Sequence, residues 1–426
     1  MPVNDRSFPI AHPRPARGWV NDPNGLLLHE GRWHLYFQHN LESAEHHRIV
    51  WGHLSSADLA HWREEPVALE PQDGGDDEFG CWSGVSTLDD DGHPAFVYSG
   101  VLDPEGRSTA LVVHRDPETL GYTGARIPAA RMPEDPEVIA MRDPFVFTFA
   151  GRRWVIQGAG LANGSGALLL FDATDLDSWS YEGRLLDAKD PALDGALHAS
   201  IWECPQLVPA DDGESWILLI SRWILRPDGG ADLLDTVWAV GTLEERSAEG
   251  RPPLAFVPNT SGRLDAGDSF YAPQALALPG RNLLWGWARE SRPQEEADQA
   301  GWSGVLTWPR EVSVRDGRVH TEPARECSQL RTGEVAVPSS RWTELPDATD
   351  IEAAASHMVV ALAEGDRRRV VWEGTADRVV IDASLLEVFP ATGMPVTLRA
   401  YPADGERWTV FSDGDVRAWE LGPSMP

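Results

Sequence analysis

The sequence predicts an all-β protein: a five-bladed β-propeller followed by a small C-terminal β-sandwich. Three observations carry that expectation. A short unit recurs five times along the chain, the mark of a repeat architecture. The composition, 33 Pro, 39 Gly and 19 Trp in 426 residues, favours short strands joined by turns, and no long stretch keeps a helical period. Five units of about 60 residues account for positions near 10 to 315, which leaves roughly 100 residues for a second, smaller domain. The boundaries expected are 1–325 for the propeller and 326–426 for the sandwich.

Each unit starts with an anchor motif, reaches a glycine turn 8 to 10 residues later and continues into an apolar strand. Asp22, in Trp19-Val20-Asn21-Asp22-Pro23-Asn24-Gly25, leads to Gly31 and then Trp33-His34-Leu35-Tyr36-Phe37. Ser83, in Trp82-Ser83-Gly84, leads to Gly92 and Ala95-Phe96-Val97-Tyr98. Asp143, in Arg142-Asp143-Pro144, leads to Gly151 and Trp154-Val155-Ile156. Glu203, in Trp202-Glu203-Cys204-Pro205, leads to Gly213 and Trp216-Ile217-Leu218. Tyr271, in Phe270-Tyr271-Ala272-Pro273-Gln274, leads to Gly280 and Leu283-Leu284-Trp285. The anchors are spaced by 61, 60, 60 and 68 residues. Such a period fits a blade of four strands with generous loops, and radial repetition leaves only short sheet edges exposed.

Between the anchors, the segment Glu42 to Arg48 reads as a polar, solvated loop, because the adjacent side chains of His46 and His47 diverge in an extended chain. The first unit closes on His61-Trp62 and the third on a similar ending at Trp179, which makes Trp62 and Trp179 inter-blade core residues. Gly301 to Glu311 finishes the last blade and leads out of the ring. From about Arg331 to Asp350 a Pro-, Ser- and charge-rich stretch reads as a linker. The apolar runs at 370–372, 379–382, 386–389 and 408–411 then supply the sandwich.

In a propeller the innermost strands line one channel, so equivalent positions at the start of each unit meet at one mouth. That brings Asp22, Asp143 and Glu203 together across 181 residues of chain. Three converging carboxyl groups repel one another, a cost that a fold accepts only where a ligand or reaction uses it. Arg142 would keep Asp143 ionised, and the bend at Pro144 would turn both toward the channel. Glu203 lies between Trp202 and Cys204, poorly solvating neighbours that raise a carboxyl pKa as a proton donor requires. At the neutral anchor, Trp82 offers an aromatic face for a sugar ring and Ser83 a hydroxyl. Tyr271 and Trp287 add aromatic and hydrogen-bonding groups at the centre of the fifth unit.

A net charge of -31 and a pI near 4.7 argue against nucleic acid or an anionic membrane as partner, since either requires a basic face. The N-terminal residues carry no secretory pattern and no run is long enough to span a membrane, so a cytoplasmic location is expected. Cys81, Cys204 and Cys327 are three in number and at no metal-like spacing, consistent with free thiols.

The motifs Trp19 to Gly25, Arg142-Asp143-Pro144 and Glu203-Cys204 together resemble the three signatures of glycoside hydrolase family 32, which includes β-fructofuranosidases, inulinases and levanases. The likeness reaches the tail, where Val380 to Phe389 is similar to a strand pair of the family's C-terminal sandwich. It implies a retaining hydrolase that releases terminal β-D-fructofuranosyl residues from sucrose and short fructo-oligosaccharides. It also implies that Asp22 is the nucleophile, Asp143 the stabiliser that binds fructose hydroxyls, and Glu203 the acid/base. Around them Trp19, Asn21, Gln38, Trp51, Trp82, Ser83 and Arg142 match the pocket that holds the fructose. Val85 and Leu41 depart from the family pattern at rim motifs, which bears on substrate preference more than on chemistry, and the tail is short for the family's sandwich.

A related five-bladed hydrolase of arabinan or xylan also uses an Asp, Asp, Glu trio, but the full Trp19 to Gly25 motif with Glu203-Cys204 argues against it. A fructosyltransferase or an exo-fructanase could use the same scaffold, whereas a non-hydrolytic fructan-binding protein could dispense with at least one of the acids. The motifs supply carboxyl groups in every chemical role and no His or Cys cluster at ligand spacing, so neither metal nor cofactor is expected. Activity should therefore be unchanged after dialysis against EDTA; loss that a divalent ion restores would contradict this.

Overall fold

The computed structural model describes residues 5–116, 121–193, 195–247 and 252–426. Among these residues the chain is nearly all-β, the seven-residue helix Gln294–Ala300 and two short 3₁₀ turns being its only helical stretches. Strands within 18–69, 81–130, 138–187, 201–263 and 270–323 form five successive antiparallel groups, each paired mainly in chain order. The third and fourth groups are joined by a single pairing, Gly160 opposite Ile201. Several registers are set by two-residue turns with both residues at positive φ: Glu30-Gly31 (49° and 74°), Ala150-Gly151 (50° and 75°) and Asp316-Gly317 (51° and 68°). This is the type I′ geometry, whose twist matches that of the flanking strands.

The first strand of each group is its innermost. Gly18–His29 packs on Cys81–Leu88, that strand on Val138–Phe149, that on Ile201–Pro209, that on Phe270–Leu278, and the last returns to Gly18–His29. The cycle is reinforced where Trp302–Ser303 pairs in parallel with Gly18–Trp19. The outer strands of the fifth group are Arg310–Arg315 and Arg318–Pro323, while Trp302–Ser303 belongs to the first sheet. Trp62 and Trp179 are both buried, each donating its indole N–H to the carbonyl three residues earlier, Leu59 and Leu176.

The tail forms an eight-stranded sheet over 331–421. The stretch expected to be a linker contributes to it: Arg331–Val335 pairs with Val416–Leu421, and Thr343–Glu344 pairs with Arg407–Ser412. These pieces are strands because distant partners supply their hydrogen bonds, which local composition does not reveal. Ala348–Glu364 is the organising strand, pairing with Arg367–Asp382 along one edge and with both Arg407–Ser412 and Val416–Leu421 along the other.

Buried charges join this sheet to the first five. Arg310 donates to Asp265 (3.0 Å) and Glu387 (2.6 Å), and the two ring nitrogens of His12 lie 2.8 Å from Asp382 and 2.9 Å from Glu387. All five side chains are essentially sealed from solvent. Burial alone would lower the pKa of His12, but the bonds and charges of Asp382 and Glu387 raise it to about 9 from 6.5. Burial would likewise raise Glu387, and Arg310 and His12 bring it down to about 2 from 4.5. The His12 contribution to stability is thus fully present below about pH 6.5 and is lost as pH rises through about 9. The difference in melting temperature between the native chain and His12→Gln should accordingly be largest near pH 5 to 6.5 and close as pH rises through about 9; calorimetry across that range checks it, and a constant difference would contradict it.

Candidate active site

Every innermost strand carries a bulge at the same place. In the first group Val20 pairs with His39 and Pro23 with Phe37, so Asn21 and Asp22 face the single residue Gln38. The same two-to-one mismatch leaves out Trp82-Ser83, Asp143-Pro144, Cys204-Pro205 and Ala272-Pro273. The residues just before the bulges are Val20, Cys81, Arg142, Glu203 and Tyr271, spaced by 61, 61, 61 and 68. The three carboxyl groups therefore do not occupy one equivalent position. Asp22 is the second bulge residue of its strand, Asp143 the first of its own, and Glu203 precedes its bulge. A bulge bends the strand and re-aims its side chains, and at Asp143 (φ 58°) and Cys204 (φ 46°) the backbone turns to positive φ. In this way consecutive residues Arg142 and Asp143 face one cavity although a regular strand would separate them.

That cavity, of about 370 Å³, is lined by Asp22, Asp143 and Glu203 and by Trp19, Asn21, Gln38, Trp82, Arg142, Tyr271 and Trp287. A larger cavity of about 490 Å³ opens toward the far ends of the same strands, among Leu26, Val85, Phe145, Leu207 and Leu276, and no carboxyl group among the described residues lines it. Two sequence candidates lie outside the wall of the smaller cavity. Ser83 sits behind Asp22 and donates to its Oδ2 at 2.6 Å. Trp51 is fully buried beneath Trp82, its indole N–H donating to the Trp82 carbonyl at 3.2 Å, because its strand is third from the centre and its ring packs on Tyr36 and Phe96. It supports the wall without forming it.

The carboxyl groups differ in their surroundings. Asp22 Oδ2 accepts bonds from Ser83, Gln38 (3.2 Å) and the thiol of Cys204 (3.3 Å), while Oδ1 accepts one from Asn21 (3.0 Å). Asn21 is itself fixed by the Trp19 indole N–H at 2.7 Å. Burial pushes Asp22 above the ordinary carboxylate range, and the bonds from Ser83, Cys204 and Asn21 pull the other way. Glu203 Oε1 accepts from Arg142 at 3.1 Å and Oε2 from the Tyr271 hydroxyl at 2.9 Å. Its pKa is raised by burial first and by the charge of Asp22, against the lowering effect of Arg142 and Tyr271. Asp143 is raised by burial and then by Glu203, with Arg142 opposing. Its Oδ2 accepts the backbone N–H of Cys204 at 2.9 Å, and the Cys204 thiol lies 3.6 Å away.

Residues that the sequence did not bring forward complete the site. His46, expected in a solvated loop, lines the cavity with Nε2 donating to Gln38 Oε1 at 3.2 Å, its ring edge-on to Trp19 and Trp82. Trp223 and Leu233, paired across a hairpin of the fourth group, form another part of the wall. Arg48 does point away, to Asp73. Only the placement of His46 next to Trp19 and Trp82 in space singles it out, and nothing in its sequence neighbourhood does.

Paired carboxyl groups of unlike environment in a cavity walled by aromatic rings and amides fit a glycosidase. Residues 12–323 match the Glycosyl hydrolases family 32 N-terminal domain, and the chain belongs to glycoside hydrolase family 32. It is 31% identical to the raffinose invertase of Escherichia coli, over 95% of this chain and 92% of that one. It is 32% identical to the sucrose-6-phosphate hydrolase of Klebsiella pneumoniae, over 99% and 95%. A Bombyx mori family 32 β-fructofuranosidase solved with sucrose shares the fold with a TM-score of 0.80 at 24% identity, over 100% of this chain and 96% of that one.

Removing the guanidinium should let both of its carboxyl neighbours rise. In Arg142→Gln, ¹³C NMR of labelled carboxyl groups should show Glu203 and Asp143 titrating at higher pH than in the native chain; unchanged titration would contradict the assignment.

Proposed function

We propose that the protein is a retaining β-fructofuranosidase that releases terminal β-D-fructofuranosyl residues from sucrose and short fructo-oligosaccharides. The observation that carries this reading is that Asp22 and Glu203, from two different innermost strands, face one cavity with opposite sets of partners. Asp22 attacks the anomeric C2 of fructose as Glu203 gives its proton to the departing glycosidic oxygen. Of the two Asp22 oxygens, Oδ1 carries a single hydrogen bond among those of the described residues and is the freer to attack. Forming the ester removes the charge of Asp22, one of the causes that raise Glu203, so Glu203 becomes more acidic. It can then take the proton from the water that releases fructose. Asp143, with Oδ1 uncommitted among the described hydrogen bonds, binds fructose hydroxyls. Trp19, Trp82 and Trp287 supply faces for the sugar.

The same reading takes the five cyclic sheets as the blades of a propeller, 1–325, and the tail as a sandwich, 326–426, in a cytoplasmic protein. The cyclic packing of the innermost strands and the fold shared with a solved family 32 structure support the propeller.

The aglycone preferred is a neutral sugar. Among the described residues lining the cavity Arg142 is the one Arg or Lys, and it is held by Glu203, while Arg48 is turned to Asp73. Phosphate recognition recruits free Arg or Lys. We expect a higher kcat/KM on sucrose than on sucrose 6-phosphate, and a higher one on sucrose or 1-kestose than on long inulin or levan. Initial rates on the five substrates test both, with products separated by chromatography; preference for the phosphorylated sugar would overturn the first and preference for polymer the second. Glu203→Ala should lose on the order of 10² to 10⁴ in rate on sucrose, the range for a general acid, and less on a fructoside whose leaving group needs no proton.

A further inference from the structure

In three of the five groups the first bulge residue turns its backbone N–H out of its own ladder to a side chain of the preceding group. The Asp143 N–H donates to Ser99 Oγ at 2.7 Å, the Cys204 N–H to Asp143 Oδ2 at 2.9 Å, and the Ala272 N–H to Ser221 Oγ at 3.0 Å. The three donors are the first bulge residues of consecutive groups, and all sit at positive φ (58°, 46° and 46°). For residues with a Cβ that conformation persists only where the surroundings hold it. Two of the three acceptors are serines that do not touch the cavity: Ser99 and Ser221 are 1% and 0% exposed. The third is a carboxylate of the site itself.

We propose that Ser221 is a positioning residue for the acid/base group: by holding the Ala272 N–H it fixes the bulge from which the Tyr271 hydroxyl reaches Glu203. Ser99 does the same for Asp143. Ser221 is placed for this because it pairs with Glu203 across its own ladder while its hydroxyl crosses to the next sheet, so one residue ties donor and acceptor of the Tyr271–Glu203 bond to a common frame. Thr236 Oγ1, 3.3 Å away, orients the Ser221 hydroxyl. Tyr271 is the residue immediately before the bulge, and its long phenol arm magnifies any tilt of the backbone there. The proposal rests on Glu203 being the acid.

The charged and titratable groups facing Glu203 are Arg142 and Asp143 from the third group, Asp22 from the first, Cys204 on its own strand and Tyr271 from the fifth, with the Arg289 guanidinium 5.5 Å from the centre of the Tyr271 ring. The bond from Tyr271 lowers the pKa of Glu203. Tilting the phenol away therefore raises it, and the protonated form survives to higher pH.

The pH dependence of kcat/KM on sucrose tests this in the native enzyme, Ser221→Ala, Ser221→Cys, Ser221→Thr, Tyr271→Phe and the Ser221→Ala/Tyr271→Phe double variant. In Ser221→Ala we expect kcat/KM at the optimum to fall on the order of 10-fold or more, as for a misplaced catalytic group. Its alkaline limb should move to higher pH in the same direction as in Tyr271→Phe, with no further movement in the double variant. Ser221→Thr, which keeps the hydroxyl, should restore the native limb. Ser221→Cys keeps the volume with a weaker acceptor, and it should shift the limb even if Ser221→Ala does not fold. A native limb in Ser221→Ala or Ser221→Cys, whatever their melting temperatures, or a shift that adds to that of Tyr271→Phe, would overturn the role of Ser221. Failure of the underlying reading looks different: Glu203→Gln with its alkaline limb intact would remove Glu203 as the acid and this proposal with it.

Discussion

Three carboxyl groups share one buried pocket with one guanidinium among them, and the rest of the site is arranged around that imbalance. Burial raises all three; the charge of Asp22 also raises Glu203, and the charges of Glu203 and Asp22 raise Asp143. What distinguishes them is the donors each is given. Asp22 receives an amide from Asn21, a second from Gln38, the Ser83 hydroxyl and the Cys204 thiol. All are neutral groups that favour its ionised form without adding charge. Glu203 receives Arg142 and Tyr271, and Asp143 a backbone N–H.

The fold meets this demand with one device used five times. A strand of regular pleat would send Arg142 and Asp143 to opposite faces, and only the bulge lets neighbouring residues share a cavity. The bulge in turn frees N–H groups that must be bonded. In three groups their acceptors are side chains of the sheet before, so the aim of each functional residue depends on how closely the sheets pack around the ring. Ring closure and the site are hence one problem, visible where Trp302–Ser303 pairs with Gly18–Trp19 a few residues from Asp22. The buried cluster of His12, Asp265, Arg310, Asp382 and Glu387 anchors the tail sheet to this frame from outside.

Much of this was legible in the sequence because it is periodic. The recurrence of an anchor, a glycine turn and an apolar strand fixes the number of groups and the convergence of Asp22, Asp143 and Glu203. The finer alignment was not legible. Matching polar anchors gave 61, 60, 60 and 68, whereas the strand register gives 61, 61, 61 and 68, because three adjacent places of the bulge can each carry a functional group. Trp51 and His46 were exchanged in role for a related reason: whether a ring lines a cavity or lies beneath it is decided by contacts between sheets. The strands at 331–335 and 343–344 and the helix Gln294–Ala300 were hidden by length and composition, since pieces of two to seven residues hold their shape through distant partners.

The central claim is that Asp22 forms a covalent bond to the sugar with Glu203 on the opposite side of the scissile bond, two displacements that together keep the anomeric configuration. The most direct measurement is NMR of the fructose released from sucrose in the first moments of turnover, before ring forms interconvert. The account predicts β-fructofuranose first. Appearance of α-fructofuranose first would mean a single displacement by water and would contradict the roles given to Asp22 and Glu203.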